Sequence, residues 1–159
     1  MSYVSLGTNQ ERHGDKPMAI SKNTLTTDIW DSIYTYIQTT NPISTDNIYS
    51  AWNSTLATKK GYPLVILHPP DASIEKLNIT GAFIESEINI MVEIYHNSSA
   101  NLKSLKDEIV AKLIAGRKVF AGVGLKRMNI EGGDMDTWEE GKKKRHRAGF
   151  NVTFMYAEG

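Results

Sequence analysis

The chain has no cysteine among its 159 residues, which excludes disulfides, thiolate metal sites, iron–sulfur clusters and cysteine nucleophiles. It also has no charge excess. Its 18 Lys and Arg balance 18 Asp and Glu, so the whole molecule exerts no strong pull on nucleic acid or an anionic membrane. No apolar run approaches the roughly 20 residues a membrane-spanning helix needs, and the first residues lack a signal-peptide core. These absences point to a soluble protein made in the cytosol. Catalytic signatures are missing too: there is no Walker A loop, Rossmann glycine pattern, nucleophile elbow or H-E-x-x-H helix. His13, His68, His96 and His146 are scattered, with no metal-ligand spacing. The reading is a non-enzyme without metal or cofactor.

What is present is alternation. In the stretch 84–95, Ile84, Ile88, Ile90, Val92 and Ile94 alternate with Glu85, Glu87, Asn89, Met91 and Glu93. A period of two gives a long strand with one apolar and one polar face. A second such strand ends the chain, with His146, Ala148, Phe150, Val152, Phe154 and Tyr156 on one face. Between them, residues 100–115 place Leu102, Leu105, Ile109 and Leu113 at helical spacing, with Gly116 as C-cap and Arg117 and Lys118 suiting the helix end.

An earlier helix is expected from a Thr26 or Thr27 cap, through Ile29, Trp30, Ile33, Tyr36 and Ile37, stopped by Thr39–Pro42. A short helix or helical turn carrying Ile48, Tyr49, Trp52 and Leu56 follows it. Tyr62–His68 reads as an interior strand and residues 73–79 as the first arm of a hairpin with the long strand. Another strand is expected over residues 124–130. Residues 1–24 are polar and aperiodic, an extended N-terminal arm ahead of one domain over residues 25–159. The fold class is α+β, with helices packed on one face of a mostly antiparallel or mixed sheet.

Two charged stretches stand out near the end. Residues 132–141 form a glycine-bounded acidic loop with Asp134, Asp136, Glu139 and Glu140. It lacks the ligand spacing of an EF-hand and reads as a solvated loop. Lys142, Lys143, Lys144, Arg145 and Arg147 then put five cations into six residues. That run is either a soluble hairpin end or a contact for phosphates or for an acidic neighbouring subunit. It lacks aromatic interleaving and any recognition helix.

The order of elements resembles the tail terminator proteins of tailed bacterial viruses, which complete the tail and join it to the head. The likeness lies in the helix Asp28–Gln38, the strand Tyr62–Leu67, the long strand Ile84–Tyr95, the helix Leu102–Leu113 and the closing run from Arg147 to Phe154. The long N-terminal arm and the segment Asn41–Lys60 go beyond the short members. The resemblance implies a structural virion protein without catalytic residues. It implies a hexameric ring that caps the tail tube, with the tail tube protein, a neck or connector protein and passing viral DNA as partners. Its place would be the virion tail at the head–tail interface, assembled in host cytoplasm, with no membrane partner. A neck or head-completion protein and a non-specific nucleic-acid-binding module are the alternatives. The candidate inter-subunit, tube or DNA contacts are Glu85, Glu87, Glu93, Asp134, Asp136, Lys142, Lys143, Lys144, Arg145 and Arg147. Exchanging Glu87 and Glu93 for lysine is expected to weaken assembly and leave the fold intact.

Overall fold

The computed structural model describes residues 25–70, 77–80 and 83–158. The expected N-terminal arm lies outside them. Helix α1 (Leu25–Tyr34) buries Ile29 and Ile33 and runs straight into a π-helical turn, Thr35–Thr40, which buries Tyr36 and Ile37. It is already helical at Leu25, so neither Thr26 nor Thr27 is its cap. The widened turn has a local cause: the Thr39 hydroxyl donates to the Thr35 carbonyl (2.6 Å), while the Asn41 N–H reaches back five residues to Tyr36 O (2.7 Å). Pro42 then ends the helical run.

Strand β1 (Ile48–Tyr49) replaces the first part of the expected second helix. Ile48 is buried and aligned with Val65, and that tertiary contact overrides helical spacing. The helix itself, α2 (Ser54–Lys60), starts later, where the Asn53 side chain accepts the Leu56 N–H at 2.7 Å. Strand β2 (Leu64–Leu67) is buried at all four positions, as its unbroken apolar run requires. Strand β3 (Leu77–Thr80) pairs antiparallel with the start of the long strand β4 (Phe83–His96).

Helix α3 (Ser99–Ala115) is capped by Ser98 and buries Leu102, Leu105, Ile109 and Leu113. Gly116 ends it as expected, but the chain then enters another short helix, α4 (Arg117–Gly122), in place of a loop. Arg117 and Lys118 therefore open a helix as well as following one. Gly116 is needed for space. A Cβ there would lie 2.5 Å from the Tyr36 ring, which packs edge-on against Phe120, itself edge-on to Phe154.

Strands β5 (Leu125–Glu131), β6 (Met135–Glu140) and β7 (Lys143–Glu158) complete a seven-stranded mixed sheet in the order β1-β2-β4-β7-β5. Strand β3 adds to β4, and β6 to β7. The acidic loop expected over residues 132–141 is thus mostly strand, folded onto the basic run across Gly141 (φ 66°). Ile88, Ile90, Val92 and Ile94 of β4 and Ala148, Phe150, Val152, Phe154 and Tyr156 of β7 form the inner face with α1, α3 and α4. The α+β fold expected from patterning is the fold observed.

Candidate interaction surface

The outer face of the sheet is built by parity. Glu93 on β4 lies opposite Ile66 on β2 and Gly149 on β7. Gly149 has no side chain to occupy that position, and the Arg147 guanidinium lies over it, 3.6 Å from where a Cβ would sit. Arg147 Nε donates to Glu93 Oε2 at 2.5 Å, and its Nη1 to Asp136 Oδ2 on β6 at 2.6 Å. His68, just beyond β2, pairs with Glu93 Oε1 at 2.5 Å, and the Tyr95 hydroxyl donates to Oε2 at 3.2 Å. One carboxylate thus ties β2, β4 and β7 together, and Arg147 extends the tie to β6.

Electrostatics follow from that geometry. Burial pushes the Glu93 carboxyl up, but the hydrogen bonds and charges of Arg147 and His68 outweigh it and hold the group below the usual carboxylate range. The hydrogen bond to Glu93 raises the Arg147 guanidinium, burial notwithstanding. Burial first, and the Glu93 charge second, push the Tyr95 phenol up to about 12. With its oxygens occupied by structural donors, Glu93 is a strand tie and is not poised as a base.

Two further rungs flank it. Trp52 stacks on Tyr95 (5.8 Å between ring centres), and Trp138 of β6 meets the same ring edge-on at 5.7 Å. Arg145 lies 4.6 Å over the Tyr62 ring and donates to Glu140 at 2.9 Å, with the Tyr62 hydroxyl on the same carboxylate at 3.3 Å. The segment leading into α2 therefore covers the outer side near β2, where Leu64 and Ile66 are fully buried.

No family model and no curated protein matches the chain. Among solved structures, a chain from the virion of a native gene transfer agent particle is similar, with a TM-score of 0.52 at 11% identity. The match covers 80% of this chain and 94% of that one. The likeness is one of fold.

The contact residues expected from sequence fall into three groups. Glu93, Asp136, Arg145 and Arg147 engage one another or neighbouring aromatics within the chain, so lysine at position 93 would attack the fold itself. Lys142, Lys143 and Lys144 are exposed around the β6–β7 turn and, like Asp134 just before β6, form no ion pair among the described residues. The Arg145 hydrogen bond, helped by the Lys143 charge, holds the Glu140 carboxyl down. Glu87 is half-buried opposite Met155, and Glu85 lies in register with Ala157. Sequence reasoning missed His68 as the partner of Glu93, along with Trp52, Trp138 and Tyr62. Once β6 is known as a strand, Asp136, Trp138 and Glu140 share one parity with Arg147, Arg145 and Lys143.

Among the described residues no group of three or more acidic, histidine or cysteine side chains is placed to hold a metal. No described helix is long and apolar enough to cross a membrane.

Proposed function

We propose that this protein is a structural component of a tailed virion, forming a ring that ends the tail tube and joins the tail to the head or neck. The observation that carries this reading is the fold shared with a gene-transfer-agent virion chain along 94% of that chain's length. The order of elements, which resembles tail terminators, supports the terminal position in particular. A sheet with open edges, braced on its outer face by ion pairs and aromatic contacts, suits a subunit whose work is to hold shape against neighbours. The mechanism is geometric: one surface of the ring meets the last tube ring and stops its growth, and the opposite surface receives the neck. Light scattering and electron microscopy of the purified protein, alone and with its tail tube protein, test it. Closed rings are the expected result. Particles that remain single subunits under both conditions overturn the reading.

A second reading, contact with passing DNA, draws on Lys142, Lys143 and Lys144, which are exposed and form no ion pair among the described residues. Its reach is limited because Arg145 and Arg147 are held by Glu140, Glu93 and Asp136. Three phosphate contacts predict a log–log salt slope no steeper than about −3 for duplex DNA, abolished when the three lysines become glutamine.

A further inference from the structure

The compact basic run is not the largest available cationic surface. Residues 109–130 contain five Lys and Arg and no Asp or Glu. Lys112 of that stretch is bound to Asn41 Oδ1 (2.9 Å), but Arg117, Lys118, Lys126 and Arg127 are exposed and make no ion pair among the described residues. Arg117 and Lys118 sit at the α3–α4 junction, and Lys126 and Arg127 at the start of β5, against which α4 packs. Ile114 and Val119, each 47% exposed, flank Arg117 and Lys118 at that junction. An apolar centre with a cationic rim is the composition of a protein-binding patch, and no aromatic side chain is exposed there for bases to stack on.

A patch of opposite character sits on β6. Met135 is 52% exposed, Asp134 precedes it, and Glu139 lies further along the same face, in register with Lys144. Both carboxylates are exposed and form no ion pair among the described residues. Between them these two patches hold three of the five large apolar side chains exposed among the described residues. Both patches lie along the same sheet edge: Lys126 is in register with Met155, and Met135 with Ala148. Seven residues of β7 separate those points, about 23 Å at the usual rise per residue. One copy therefore cannot join its own patches, while a second copy can.

We infer that the acidic patch around Met135 docks on the basic patch around Val119 of another copy of this chain. This rests on the ring reading, in which each subunit presents one patch to each neighbour, so the contact repeats until the ring closes. The acidic segment thus finds its partner at α4–β5, since the adjacent arginines are already satisfied within the chain.

Charge reversal tests it. The double variants Arg117→Glu/Lys118→Glu and Asp134→Lys/Glu139→Lys change exposed side chains only and should unfold like the parent. Each alone should self-associate about tenfold more weakly or worse by sedimentation velocity, because like charges then face one another. An equimolar mixture of the two should recover association, because every contact is again between opposite charges. Unchanged association of either variant, or no recovery in the mixture, overturns the inference and leaves the ring reading standing if the parent forms rings. Recovery in the mixture with assemblies that stop at dimers supports this contact and overturns the ring. A parent that never self-associates, with or without tube protein, overturns both.

Discussion

On the inner face of β4 and β7, Ile90, Val92, Ile94, Phe150, Val152 and Phe154 are at most 1% exposed and touch α1, α3 and α4 through apolar atoms alone. One residue along each strand, on the outer face, Glu93 and Arg147 meet His68, Tyr95 and Asp136 through directed hydrogen bonds. The inner face gains its free energy from area removed from water, which is large and indifferent to direction. The outer face gains less per contact, but each contact names its partner, and together they fix how β6 and the α2 segment sit against the sheet. Bulk stability belongs to one side and the shape offered to a neighbour to the other.

That division can be broken from the inside first. Phe154→Ala removes a fully buried ring that contacts Phe120 and should cost about 3–5 kcal/mol, read from the urea midpoint at unchanged slope. On the outer face, Glu93→Gln removes the more buried of Arg147's two carboxylate partners, leaving the exposed Asp136, and should cost about 1–3 kcal/mol, the Glu93 side chain being mostly but not wholly buried. The same variant carries a pH signature. The folded state holds Glu93 below its ordinary value of 4.5, so its contribution is complete above that pH and is lost as pH falls through the lowered folded value. A stability–pH profile of Glu93→Gln should therefore have a shallower acid limb than the parent, and parallel limbs would remove Glu93 from the ledger of acid sensitivity. Trp52→Ala, which deletes the stacked ring on Tyr95, should cost about 1 kcal/mol and quench no core signal. Smallest of all, Lys144→Gln should shift stability by less than roughly 0.5 kcal/mol. A larger loss there would mean the hairpin end is tied down by more than its outer rungs.

The inner face was legible because burial imposes a period on hydrophobicity: β4, β7 and α3 could be located from every second or every third and fourth residue. The same logic hid β6. Its alternate residues Asp136, Trp138 and Glu140 face Arg147, Arg145 and Lys143, so both sides of the strand are polar and alternation is invisible without its partner. Helix α4 escaped notice because Gly116 and Gly122 bracket only a short segment in which Phe120 alone is core. Strand β1 was read as helix because two residues cannot display a period. For the site, the charged residues were found but their allegiances were not. Charge density along the chain marked 142–147, where two arginines are consumed internally, and passed over Arg117, Lys118, Lys126 and Arg127, which are spread out and form no ion pair among the described residues. A count of acid-free length would have found them.

One contact between main chains gives the outer face its permanence. At Gly133, between β5 and β6, a Cβ would lie 1.0 Å from the Gly149 carbonyl oxygen, while the Gly149 N–H is held by Asp134 O at 3.0 Å. Strands whose alternation is polar on both sides can ordinarily slide by two residues without exposing anything apolar. Here such a slide would drive a side chain into a space that admits none. The glycine acts as a detent: it lets β6 settle in one position only, and so Asp136 meets Arg147, Glu140 meets Arg145, and the edge around Met135 faces outward in every copy alike.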